Sequence, residues 1–281
     1  MLTLDPKELP IPKLHHYLLG SIGPRPIAFA STVDAEGNRN LAPFSFFNVF
    51  SANPPILIFS PARSGRTNTT KNTHDNVKEV AEVVINVVNY DMVHQMSLAS
   101  SPFEAGVDEF VKAGFTPIAS DTIRPFRVKE SPVQIECKVI EVKELGQNGG
   151  AGNLVICEVQ KIHFDEGVLD ENQMVDQQKI DLVSRMGGNW YCRANDASMF
   201  EVDKPITTIG IGVDTLPEKI RTSDQLTGND LGILGNMENI PTDEQIEKGL
   251  SSLDALSMSL AKDLLSENKP QLAYAVLTQI V

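Results

Sequence analysis

Cysteine is scarce in this chain, with three residues (Cys137, Cys157 and Cys192) and no CxxC pair. That excludes a disulfide framework or a cysteine zinc site, both of which need closer or more numerous partners. Cys137 and Cys157 fall inside β-like runs, where a thiol behaves as a small buried hydrophobe. Reduced thiols point to the cytoplasm. The five histidines show no metal-ligand spacing. No apolar run approaches 18 residues, so a membrane partner is not expected. The opening segment MLTLDPKELPIPKLHHYLLGSIGPRP lacks a basic start followed by an apolar stretch, so no signal peptide is expected there. Basic charge is short as well: 24 Lys and Arg stand against 37 Asp and Glu, a net charge of −13. Such a surface repels phosphate backbones, so no nucleic-acid partner is expected. Residues 196–281 carry 6 basic and 14 acidic side chains, −8 of the −13, which leaves −5 for residues 1–195 and makes the tail the more acidic part.

What is present suits a folded protein. Of 281 residues 41% are hydrophobic and 22% charged, enough for a sizeable core. Residues 26–32 (PIAFAST) read as a strand, 34–38 as a turn and 41–50 (LAPFSFFNVF) as a second strand, together a hairpin. Pro43 puts the second strand at an edge or bulge, because proline cannot donate to a ladder. Simple alternation would point Phe44 and Phe46 one way and Phe47 the other, and the aromatic set there reads mainly as core. Residues 56–60 and 83–88 are further strands, with a helix over 74–82 between them. Another helix over 90–99 places Met92, Val93, Met96 and Ala99 on one face. Two long strands, 133–145 and 154–164, flank the Gly-rich turn 146–152, with slips in alternation that predict a bulge. These strands are not separated by long helices, so an antiparallel sheet closing towards a barrel is expected. After Asn195 the texture changes to turn clusters and then helices, one from Thr242 to about Ser266 and a short one over 271–280.

Two phosphate signatures fail. Residues 65–72 (GRTNTTKN) approach a P-loop, but Thr70 replaces its second glycine and Asn72 its metal-binding hydroxyl. Gly210-Ile211-Gly212 lacks the third glycine and the βαβ unit of a dinucleotide turn. Residues 63–76 (RSGRTNTTKNTHDN) still gather Arg63, Arg66, Lys71 and several hydroxyls before a helix starting near Thr73. That combination suits a monophosphate. An ordinary hydrophilic loop with Thr73 as N-cap fits the same residues.

The order of motifs resembles the flavin reductase-like family, which includes flavoredoxin and the small flavin reductase components. The matching residues are 23–32 (GPRPIAFAST), Gly37, 40–48 (NLAPFSFFN), 53–55 (NPP), Phe59-Ser60, Lys71-Asn72-Thr73 with Asn76, Glu109-Phe110 with Ala113-Gly114, and Arg185-Met186-Gly187-Gly188 with Tyr191. The resemblance spans about residues 15–195. It implies a mainly β fold: an FMN-binding split β-barrel with peripheral helices over residues 1–195, followed by a mixed or helical C-terminal extension over 196–281. By the same resemblance Ala42, Pro43, Phe44 and Ser45 would meet the pyrimidine edge of the flavin, with Asn48 close by and Ser31 and Thr32 lining the pocket. Ser60 and Pro61 would face the ribityl chain, and Arg66, Lys71 and Thr73 the phosphate. Asn72 departs from the aspartate of many relatives. The implied activity is an FMN-dependent oxidoreductase using NAD(P)H and passing electrons to free flavin or a partner protein. An FMN-binding electron carrier without NAD(P)H activity is the alternative. A homodimer is implied too, and Trp190-Tyr191 would either cover the flavin or plug a barrel end. The extension is expected to pack on the barrel or reinforce a dimer, because its apolar helix positions need a partner surface.

Overall fold

The computed structural model describes residues 1–203, 205 and 208–281. They form two compact units, Met1–Phe200 and Glu201–Val281.

In the first unit a helix, α1 (Ile11–Ser21), precedes the hairpin of β1 (Ala28–Val33) and β2 (Arg39–Phe44). A second hairpin follows, β3 (Phe47–Ala52) and β4 (Pro55–Phe59). Next come α2 (Asn72–Glu79), β5 (Glu82–Val87), α3 (Val93–Leu98) and α4 (Glu109–Ala113). The short strands β6 (Pro117–Ile118) and β7 (Arg127–Val128) pair with each other before the long hairpin of β8 (Val133–Glu144) and β9 (Asn153–Phe164). A small hairpin, β10 (Val183–Arg185) and β11 (Tyr191–Arg193), comes last.

The main sheet has seven strands in the order β2-β1-β5-β8-β9-β4-β3, every pair antiparallel. Its two edges, β2 and β3, are neighbours in sequence, joined only by Ser45 and Phe46. Three Cα–Cα steps reach at most roughly 11 Å, so the sheet must curl until its edges nearly meet. They do not pair, and the barrel stays split. The expected single strand over 41–50 is therefore two strands. The break resets the alternation: Phe44 and Phe47 both pack against the inner cluster, while Phe46 is exposed. Pro43 lies on an edge strand, where a missing N–H leaves no gap in a ladder.

Ala28, Ala30, Phe59, Ile85, Cys137 and Cys157 fill the barrel interior. Burial pushes the Cys137 thiol up to about 12 and raises that of Cys157 well above its ordinary value, so both are inert packing groups. On the other face of β1 and β2, Phe29 and Leu41 pack with Met92, Val93, Met96 and Phe110. The predicted helical face Met92, Val93, Met96 and Ala99 is buried as expected, although its first turn, Tyr90–Met92, is 3-10. The predicted slips in β8 are two register shifts against β9, at Glu136/Cys137 and Val139/Glu141.

The second unit is helical: α5 (Glu218–Arg221), α6 (Gly228–Gly235), α7 (Asp243–Leu250), α8 (Met258–Ser266) and α9 (Pro270–Ile280). Thr242 forms a capping box with Gln245, but the helix expected to reach Ser266 stops at Leu250 and restarts from a Ser257 cap. The intervening serines and Asp254 favour turns over helix. Thr227-Gly228-Asn229-Asp230, a turn cluster in sequence, is the capped start of α6. The apolar faces pack on one another through Leu234, Ala261, Leu265, Val276 and Leu277.

Candidate functional site

A cleft of about 900 Å³ opens in the first unit, bounded by β2, the loop before α2, the segment 99–105 and Glu109. Its size is that of a pocket for a drug-sized ligand.

The loop 60–71 is shaped by its own polar groups. The Ser64 N–H donates to the Thr69 carbonyl (2.9 Å), and the Ser64 hydroxyl accepts from the amides of Arg66 and Thr67 (3.3 and 3.2 Å). Arg63 is consumed here, donating to the Asn68 side chain and carbonyl at 2.9 and 2.6 Å. Arg66 and Lys71 remain exposed on the cleft, without an ion-pair partner among the described residues. The Gly-rich β8–β9 turn braces this loop: Arg63 N–H donates to the Ala151 carbonyl (2.8 Å) and Gly150 N–H to the Arg63 carbonyl (3.1 Å). Gly149 comes so near that a Cβ there would stand 3.0 Å from the Ser64 carbonyl oxygen.

Lys71 takes the N-cap position of α2, with no side-chain cap bond. Thr73 is in the first turn instead of at the cap, fully buried, and its hydroxyl accepts from Asn40 Nδ2 at 2.9 Å. A helix start leaves its first N–H groups without intrahelical partners, and those of Asn72 and Thr73 have no acceptor among the described residues. Two cations and a helix N-terminus thus share one end of the cleft, an arrangement suited to an anion.

The other end is the edge of β2. Leu41 N–H points away from β1 and donates to Glu109 Oε2 at 3.0 Å. In an antiparallel strand alternate residues face the same side, so Pro43 also faces this free edge and offers a carbonyl there without an N–H. Glu109 is 4% exposed, and burial, its strongest influence, raises its carboxyl above the usual range. Its neighbour Asp108 is paired with Arg39 at 2.5 Å.

Six of the twelve expected residues line this cleft: Ala42, Pro43, Phe44, Arg66, Lys71 and Thr73. The other six are placed elsewhere. Ser31 is fully buried, and its hydroxyl has no partner among the described residues. The Thr32 hydroxyl accepts from Asn40 and Asn76, each at 3.1 Å. Ser45 accepts from Arg25 Nε at 3.5 Å. Asn48 is exposed and its side-chain Oδ1 accepts from Val49 N–H at 2.8 Å. Ser60 and Pro61 are buried and accept from the backbone and side chain of Asn153 at 3.0 and 2.8 Å. Trp190, 78% exposed, plugs no barrel end in the chain.

Asn40, Glu109 and the segment 99–105 join the cleft without having been assigned a role from sequence. Arg25 is a further positioning group: buried, it donates to the carbonyls of Leu19 and Met186, both at 2.8 Å, and to that of Ile22. A second polar cluster, Asp121, Glu136 and His163, has metal-ligand residue types. Glu136 there already accepts from two amides and a hydroxyl of Asp121 and Thr122, and lies 2.8 Å from His163 Nε2. It is a structural network.

The sequence profile described as the flavin reductase like domain matches residues 20–181. An uncharacterized protein of Aquifex aeolicus is 35% identical over 188 residues, which cover 67% of this chain and 93% of that protein. Among solved structures, nitrilotriacetate monooxygenase component B of Bacillus cereus is 30% identical with a TM-score of 0.67, over 72% of this chain and 98% of that one. A split-barrel-domain protein of Shewanella frigidimarina, assigned as a flavin reductase, is 25% identical with a TM-score of 0.59, over 70% of this chain and 96% of that one.

Proposed function

Since the chain belongs to the flavin reductase like domain family, we propose that the cleft holds FMN and that the protein is an NAD(P)H-dependent oxidoreductase of flavin reductase type. One observation carries this reading: a single cleft joins an anion-binding end to a free strand edge. Arg66, Lys71 and the first amides of α2 would hold the phosphate, each charge-assisted bond contributing about 1.5–3 kcal/mol. Ala42, Pro43 and Phe44 would lie along the flavin ring, and the Pro43 carbonyl suits a ring N–H because no donor of its own competes with it. FMN held by these residues would supply two-electron chemistry, as a hydride acceptor for a nicotinamide and an electron donor to an acceptor. The chain's part is to orient the ring and exclude water, since hydride transfer needs positioning more than a protein acid.

Likeness to a monooxygenase component favours free flavin or a partner oxygenase as the acceptor. Val49 and Phe50 on edge strand β3 are each 63% exposed. Such an edge favours coverage, and we assign it to a second copy in a homodimer. The unpaired Cys137 and Cys157, both buried, and the half-buried Cys192 suit the cytoplasm.

Anaerobic mixing of the FMN-loaded protein with NADH or NADPH tests the activity. Bleaching of the yellow band with either donor is expected. Persistent colour with both, in protein that binds FMN, would leave an electron carrier as the function.

A further inference from the structure

We propose that Glu109 is a flavin-specificity residue, accepting hydrogen bonds from the ribityl hydroxyls of the bound nucleotide. This rests on the reading of the cleft as a flavin site.

Position comes first. Along β2, Asn40 is tied to Thr73 at the anion-binding end (2.9 Å), and Ala42 to Phe44 line the ring end. Glu109 meets the strand between them, at Leu41 N–H (3.0 Å). A flavin mononucleotide laid along the same path has its polyol chain between phosphate and ring. Glu109 therefore stands where the hydroxyls must pass.

Chemistry comes second. The residue is 4% exposed and still belongs to the cleft wall. A carboxylate this buried needs several donors or a cation. The structure gives it the amides of Leu41 and of Glu109 itself and no ion pair among the described residues, because the adjacent Arg39 is engaged by Asp108. No side-chain donor reaches the carboxyl among the described residues, and a polyol brings hydroxyl donors to its remaining lone pairs. Ser60 and Pro61, buried and each accepting from Asn153, do not line this cleft.

A purely structural role, satisfying the edge amide of β2, would make Glu109 indifferent to the ligand's side chain. Lumiflavin, which has the ring but no ribityl chain, separates the two roles. Flavin-free wild type, Glu109→Gln and Glu109→Ala are titrated with FMN, riboflavin and lumiflavin, following flavin fluorescence, with circular dichroism to confirm folding. Glu109→Gln keeps an acceptor for Leu41 N–H and removes the charge. FMN and riboflavin affinity should fall about tenfold in Glu109→Gln and further in Glu109→Ala, while lumiflavin affinity stays within about twofold of wild type. Equal losses for all three ligands, or no loss for any, would overturn the assignment while leaving the flavin site intact. A wild type that binds none of the three would overturn the flavin reading itself, and this inference with it.

Discussion

At the scale of single residues, Glu136 shows how a buried charge is kept. Burial alone would raise its carboxyl, but the Thr122 hydroxyl, the Asp121 amide, His163 and the Thr122 amide together bring it down to about 2 from 4.5. A depressed folded value means stability present above the unfolded pKa and lost as pH falls through the folded one. The window is therefore pH 4.5 down to 2, and the contribution at neutral pH is on the order of 3 kcal/mol. Glu136→Gln should be destabilised at pH 7, and its deficit against wild type should shrink across that window in urea titrations. A deficit that does not change with pH would refute the linkage. His163 belongs to the same network, its Nε2 lying 2.8 Å from Glu136 Oε1. Asn40 and Glu109 were legible as matched residues but not as cleft residues. Their contacts reach 33 and 68 positions along the chain, to Thr73 and Leu41, and no local pattern encodes such distances.

At the scale of elements, the loop before α2 is held from outside by the β8–β9 turn. Gly149→Val would drive side-chain atoms into the Ser64 carbonyl and Gly65, now 3.0 and 3.3 Å from an ideal Cβ. Overpacking of this kind costs about 1–3 kcal/mol, and here it falls on the loop proposed to hold the phosphate. FMN affinity should drop about tenfold and the unfolding temperature should fall by about 2–12 °C; unchanged affinity would show that the brace is dispensable. The β1–β2 hairpin, the long strands β8 and β9 and the buried face of α3 were legible in the sequence, because period-2 and period-3.6 patterns are local. The sequence merged β2 with β3 because LAPFSFFNVF contains no turn residue strong enough to mark the break; the break is imposed by sheet curvature. It merged α7 with α8 because their caps lie within one amphipathic run.

At the scale of the whole molecule, each unit carries its own apolar core, so each satisfies the condition for folding alone. The sequence suggested that the tail's apolar positions need an outside surface. In the structure those positions pack among the tail's own helices, because five short helices supply faces to one another. A fragment of residues 1–200 should therefore stay folded, bind FMN and sediment as a dimer, and the intact chain should melt in two calorimetric transitions. An aggregated fragment, or one transition for the intact chain, would show that the units stabilise each other.

The free edge of β2 has a consequence for the protein before any ligand arrives. An unpaired edge strand is a template on which another chain can add a strand, the first step of aggregation. Pro43 offers no N–H, and the Leu41 N–H is already taken by Glu109. An incoming strand would find neither donor where a regular ladder needs one, so the flavin-free protein can keep this edge open without inviting its own polymerisation.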